Sequence, residues 1–208
     1  MRLLIEESAD NLSRVKSLLD LFQQSSINDI GTHDQRSELL RAAVVFLHSS
    51  IEEIVRNLFV DRLPKLSTEV LNELTYSKYG PTNRSKGVML GDLLLNHSGR
   101  LVDNVIFDAI NSYIDRLNIN NSDQLVAQLQ KIQIETQPIK PFLLEIDSLM
   151  KRRHQIVHQM DREDALDPDT RPISRIDVDS VKNWTDSVSQ LHSEIIRQVK
   201  LELELEND

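Results

Sequence analysis

Hydrophobic positions recur along most of this chain at helical spacing. Leu12, Val15, Leu19 and Phe22 step by three, four and three residues, which predicts an amphipathic helix over residues 3–24. A longer pattern follows: Leu40, Val44, Leu47, Ile51, Ile54 and Leu58 alternate steps of four and three, and Pro64 closes the segment near residue 63. A short helix is expected over 67–75, after Ser67 and Thr68. Residues 76–100 hold four of the five glycines and the pair Gly80-Pro81, so loops around a short apolar turn, Val88–Leu95, are expected there. Leu101, Val105, Ile106, Ala109, Ile110 and Tyr113 share a face and predict a helix over 101–117. Ser122 is the candidate N-cap of a shorter helix ending near Gln133.

Pro138 and Pro141 open the next predicted helix, because proline is tolerated in a first turn, and it runs to Met160. Residues 161–176 are rich in Asp, Pro and Arg and read as an exposed loop. From Asp177 a last helix carries Val181, Trp184, Val188, Leu191, Ile195 and Val199, and its acidic tail, 202–208, is expected to fray. No stretch alternates as a strand does, and no repeat appears at solenoid periods. The prediction is an all-α single domain over 1–208, a bundle of four long helices plus short ones.

Composition narrows the chemistry. The 208 residues are 39% hydrophobic and 27% charged, the balance of a soluble globular protein. Cysteine is absent, which excludes disulfides, cysteine nucleophiles and thiolate metal sites. No apolar run approaches the roughly 18–20 residues that span a bilayer, and residues 1–30 lack a signal-peptide pattern, so a cytoplasmic protein without membrane contact is expected. The net charge of −9 works against nucleic-acid binding by the whole surface but leaves room for local basic patches.

One helix breaks the rule that apolar stripes stay apolar. At about 100° per residue, Phe142, Ile146, Leu149, Met150, Ile156 and Val157 fall within an arc about 120° wide that should face the bundle. Arg153 falls at its centre, His154 and His158 lie on one flank, and Arg152 lies beyond the other. A guanidinium in such a stripe is expensive unless paired. It could snorkel, or form a structural salt bridge to a carboxylate such as Glu52 or Glu53. Two histidines at i and i+4 beside it favour chemistry instead.

The run Lys151-Arg152-Arg153-His154-Gln155-Ile156-Val157-His158 resembles the R-x4–6-H signature of the HEPN superfamily, in which a polar residue follows the arginine and an apolar one precedes the last histidine. Arg153, His154, Val157 and His158 match these positions. The segment Leu40–Leu58, with Arg41 and Glu52-Glu53 around an apolar heptad, also resembles the early long helix of bacterial HEPN proteins. The specific likeness covers eight residues; the architectural one covers most of the chain.

The resemblance implies a metal-independent endoribonuclease, active as a homodimer with its motifs facing across the interface, in a toxin or antiphage role. An antitoxin or regulatory protein would then be a partner. The residues suit that chemistry. RNA cleaves when its own 2′-OH attacks phosphorus, so the protein need only move protons and hold charge. His158, and His154 as its supplement, can transfer protons near neutral pH. Arg153 can hold phosphate oxygens. One His158 cannot be base and acid in a single step, whereas two copies in a dimer can.

Further RNA contacts are expected from Lys151 and Arg152, and from Arg84 and Lys86 in a stretch, 76–100, where Lys78, Arg84, Lys86 and Arg100 oppose only Asp92. A solvated loop explains that stretch equally well. Gly80–Gly87 lacks the glycine before Lys86 and the Ser/Thr after it that a P-loop needs. Gln155 replaces the Glu of HExxH and no third ligand is evident, so neither metal nor cofactor is expected. His48 and His97 read as a satisfied helix histidine and a loop histidine, Trp184 as core, and Tyr76 and Tyr79 as weak candidates for base stacking. Two other classes remain open: a HEPN-like dimeric interaction or regulatory module that does not cleave RNA, and an unrelated all-α adaptor.

Overall fold

The alternating stripe from Leu40 to Leu58 becomes the longest helix because every residue in it finds a core to enter. In the computed structural model, which describes residues 2–28, 30–66, 68, 71, 90–163 and 172–205, this helix is α2 (His33–Arg62), and all six stripe residues are buried. Its start is fixed by a reciprocal cap: the Gln35 N–H donates to Thr32 Oγ1 at 3.2 Å, and the Thr32 N–H donates to Gln35 Oε1 at 2.8 Å. Pro64 ends it in a 3-10 turn, Leu63–Lys65. Before it lies α1 (Arg2–Ile27), four residues longer than its stripe predicts, with Leu12, Val15 and Leu19 buried and Phe22 half-buried.

The remaining helices among the described residues are α3 (Leu90–His97), α4 (Val102–Ile114), α5 (Ser122–Lys131), α6 (Leu143–Gln159) and α7 (Val178–Leu205). The chain is all-α, and its four longest helices are α1, α2, α6 and α7. Most of the expected 67–75 helix, Gly80–Gly87 and the two tyrosines lie outside the described residues. So do 164–171 and 206–208. Part of the expected glycine-rich loop region is a helix: Leu90–His97 completes two turns, and Gly91 sits inside it with open space around its Cα.

Other boundaries moved for local reasons. The cap of α5 is Asn121 rather than Ser122; its side chain accepts from the Gln124 N–H at 2.8 Å, one residue earlier than expected. Pro141 sits in a 3-10 turn, Lys140–Phe142, that leads into α6. Asp177 caps α7 by accepting from the Ser180 N–H at 2.9 Å.

Two compact units divide the chain: residues 1–54 with 119–208, and residues 55–118. In the first, α7 packs on α6 and α1, and α5 packs on α6. Its core combines Val15, Leu47, Ile146, Leu149, Val188, Leu191 and Ile195 with Trp184. In the second, Phe59, Leu63, Ile110 and Ile114 are buried, and the Phe59 ring lies 5.6 Å from that of Tyr113. The stripe expected on α4 is only partly used. Ile110 is buried, while Leu101 and Ile106 are exposed, because the covered side of the helix runs through Ile110 and Ile114.

The α1–α7 packing encloses a histidine. His192 is fully buried, its Nδ1 lies 2.7 Å from Ser8 Oγ, and its Nε2 has no hydrogen-bond partner among the described residues. Burial lowers its pKa from 6.5 to about 4, so the folded state holds it neutral. The unfolded chain binds a proton there below about pH 6.5 and the folded chain does not, so stability at this site falls as pH drops from about 6.5 to about 4. Between about pH 7 and pH 5 the stability of wild type should fall by about 2 kcal/mol more than that of His192→Leu in urea unfolding. Parallel losses in the two proteins would contradict a buried neutral His192.

Candidate active site

All described residues of the site lie in the unit formed by residues 1–54 and 119–208. The helix that carries the motif, α6, buries Ile146, Leu149 and Met150 in its first half, as the apolar arc predicts. Its second half departs from the arc: Arg153 and Ile156 are half-buried, and Val157 is exposed. The stripe therefore runs out of core at the motif.

The three successive cations at residues 151–153 have three different surroundings. Lys151 is exposed and pairs with Asp147, Nζ to Oδ2 at 2.7 Å; together with Ser122 it holds the Asp147 carboxyl below the usual range. Arg152, expected as a surface phosphate contact, is instead tied inward. Its Nη2 donates to Asp161 Oδ2 at 2.8 Å and to the carbonyls of Ser174 and Arg175 at 3.2 Å, while Nη1 donates to Gln155 Oε1 at 2.9 Å. Burial lowers its pKa, opposed chiefly by the Asp161 charge.

Arg153 has neither arrangement. The salt bridge to Glu52 or Glu53 is absent among the described residues: Glu53 accepts from the Asn11 amide, and Glu52 lies 3.7 Å from His48 Nδ1. Arg153 Nε is buried without a hydrogen-bond partner among the described residues. The next residue, His154, and His158 one turn beyond it are exposed, with ring centroids 4.7 Å apart and planes inclined by 44°. Helical spacing at i and i+4 thus brings the two rings together, on the same helix end as a guanidinium with no salt bridge among the described residues. No three His, Asp or Glu side chains among the described residues are placed to share a metal ion.

Sequence reasoning missed what ends this helix. Met160 and Asp161 both adopt left-handed conformations, φ 54° and 55°, so α6 turns sharply without glycine. Asp161 is buried, not part of an exposed loop. Its Oδ2 also accepts from Arg41 Nε of α2 at 2.6 Å, and Arg41 Nη2 donates to the Ser174 carbonyl at 2.9 Å. The returning segment is held too: the Ser174 N–H donates to the Asp161 carbonyl at 2.7 Å, and Gln155 Nε2 donates to Ser174 Oγ at 2.8 Å. The 161–176 segment is therefore anchored at both ends, with Ser174 and Ile176 buried as well. The one sequence signal was Arg41, beside Leu40 on a stripe that otherwise keeps charges at its margins.

Arg84 and Lys86 lie outside the described residues. Arg100, from the same basic stretch, pairs with Asp108 at 2.7 Å. His48 is a buried helix histidine, whereas His97 ends α3 rather than standing in a loop. Trp184 is buried, as expected.

The chain is all-α, and its helix α6 ends in Arg-His-x3-His, the run that resembles the HEPN signature. A family model described as RiboL-PSP-HEPN matches residues 7–201, and the chain belongs to that family. Comparison with curated proteins and with solved structures found no match. HEPN domains are often ribonucleases, and membership points to a nuclease or RNA-related role. No described helix is long and apolar enough to cross a membrane.

Asp161 joins two guanidinia in a place with little water: its side chain is 3% exposed, that of Arg41 10% and that of Arg152 13%. Removing the shared charge leaves two buried cations facing one another. Asp161→Asn should lower unfolding free energy by about 3–5 kcal/mol, the scale of a broken buried ion pair. A change below about 1 kcal/mol in urea unfolding would mean that the pair behaves like a surface bridge.

Proposed function

We propose that this protein is a metal-independent endoribonuclease that cleaves RNA through attack by the 2′-OH, with a composite site formed where two copies bring their α6 helices together. One observation carries the reading: Arg153 stands half-buried without a salt bridge among the described residues, on the same helix end as a solvent-facing histidine pair. A structural arginine in an apolar stripe would have a partner, as Arg41 and Arg152 do. An arginine awaiting a phosphate would not.

The division of roles follows from the chemistry. Arg153 stabilises charge that develops on phosphorus, where preorganised donors act most strongly. His158 accepts or donates the proton in each copy, one as base toward the 2′-OH and the other as acid toward the 5′ oxygen. His154, in ring contact with His158, supports that exchange. The uncovered part of the arc, Arg153, Ile156 and Val157, supports contact with a second copy. Exposed Lys151, with Arg84 and Lys86 from the basic stretch, is assigned to backbone phosphates; Arg152 is assigned to the Asp161 clasp instead. A toxin or antiphage role, held in check by an antitoxin or regulatory partner, is consistent with such an activity.

Arg153→Ala and His158→Ala should each reduce cleavage by about 10²-fold or more, with a smaller loss for His154→Ala. The products should end in a 2′,3′-cyclic phosphate and a 5′-OH, and excess EDTA should leave the rate unchanged. Because Arg153 strands no carboxylate among the described residues, Arg153→Leu should melt at or above the wild-type temperature while cleaving no RNA. Light scattering should give a dimer. Unaltered cleavage by His158→Ala, or a strict requirement for a divalent ion, would overturn the reading; no cleavage by any form would leave the non-catalytic module.

A further inference from the structure

Four apolar residues of α4 follow one another at steps of four, a row that turns by about 40° at each step: Val102, Ile106, Ile110 and Ile114. Ile110 and Ile114 are buried, whereas Val102 and Ile106 are exposed, so the row leaves its cover toward the start of the helix. The bare end adjoins a second bare helix. Only residues 98–101 separate α3 from α4; Gly99 turns with φ 76°, and the Arg100 N–H donates to the His97 carbonyl at 3.0 Å. On α3, Leu90, Leu94 and Leu95 are 82%, 70% and 83% exposed, although a helix so apolar is ordinarily buried.

Leu101 and Phe107 are exposed as well, and the whole stretch lies in the unit formed by residues 55–118. With Leu90, Leu94, Leu95, Val102 and Ile106 they leave roughly 800 Å² of apolar surface bare. That exceeds the about 300–600 Å² of a typical monomer's largest patch and is close to one partner's share, about 800 Å², of a standard interface. Charges beside it are few among the described residues. Asp103 sits in the first turn of α4, where a helix N-terminus favours an anion, and Arg100 is paired with Asp108 at 2.7 Å.

We propose that the α3–α4 face is the surface on which two copies of this chain associate, and that it, rather than the motif face, supplies most of the binding. The link to cleavage rests on the nuclease reading above; the association does not. A face whose arginine is already paired attracts phosphate weakly, and a net charge of −9 is repelled by anionic lipid. An apolar face with its charge neutralised is instead complementary to itself, because hydrophobic burial is non-directional and a two-fold axis sets like on like. The area fits as well. At the motif end of α6, Val157 and Met160 are the exposed apolar residues among those described, and their roughly 200 Å² is too little to hold a dimer.

The test follows the intact protein by sedimentation across a wide range of concentrations. Wild type should dimerise, and Leu94→Glu/Val102→Glu should weaken the dimer by about 100-fold or more, because each copy would bring two carboxylates into an apolar interface. Val157→Glu, at the motif, should weaken it by less than about 10-fold. Because the chain lacks cysteine, Leu95→Cys introduces a single thiol that reports on the face itself. Its alkylation should slow by about 10-fold or more as dilute protein is concentrated into the dimer, while Leu21→Cys on α1 reacts at one rate throughout. If the double variant does not fold, this alkylation decides. A wild-type monomer at every concentration, a dimer indifferent to Leu94→Glu/Val102→Glu, or a Leu95→Cys thiol whose reactivity ignores concentration overturns the proposal. Slow alkylation of a monomer overturns it too, since the chain would then cover the face itself. With RNA, cleavage should fall as the dimer dissociates. Cleavage that persists in a monomeric variant would sustain the association surface and reject only the composite site.

Discussion

A single carboxylate oxygen, Asp161 Oδ2, receives guanidinium donors from two helices at 2.6 and 2.8 Å, and the geometry of the motif depends on that shared contact. Charges so thoroughly removed from water tolerate no vacancy, because either cation without the carboxylate would be stranded. The pairing therefore fixes several things at once. It locks the end of α6 against α2, and it holds Asp161 in a left-handed conformation that side chains other than Gly, Asn and Asp rarely adopt. It also ties down the segment that returns to Ser174, through the carbonyl that both arginines share. The helix that ends this way carries His154 and His158 in its last two turns.

The clasp also sorts the cations. Along α6, Lys151, Arg152 and Arg153 are consecutive, yet each turns about 100° from the last and meets a different environment. Lys151 reaches solvent and a helix-neighbour carboxylate, and Arg152 completes the clasp. Arg153 lies where the apolar arc loses its cover and has no salt bridge among the described residues. A helix end held by buried ion pairs can keep one guanidinium without a salt bridge among the described residues, because stability is supplied by its neighbours rather than by that residue. That separation is what a site for phosphate chemistry requires, since preorganised charge is worth most where nothing quenches it beforehand.

Much of this was legible in the sequence. The stripes of α1, α2 and α7 predicted their helices because burial at steps of three and four is a local property of the chain. The His-x3-His pair of the motif was visible for the same reason: residues four positions apart on a helix are neighbours. That Arg153 interrupts an apolar arc was pure arithmetic. Which arginine would be structural was not, because it depends on a carboxylate that is nine residues away from Arg152 and one hundred and twenty from Arg41.

What the sequence by itself determined was the all-α class, the helix that carries the Arg-His-x3-His motif and the residues that line up along it, since these follow from helical periodicity and side-chain type. Only the tertiary structure decided that Arg152 is bound inward, that residue 161 is buried rather than exposed, and that His48 and Arg153 each keep an unpaired polar atom. Those outcomes turn on which distant charges share a space emptied of water, and electrostatic pairing across long sequence separations leaves no periodic trace in the chain.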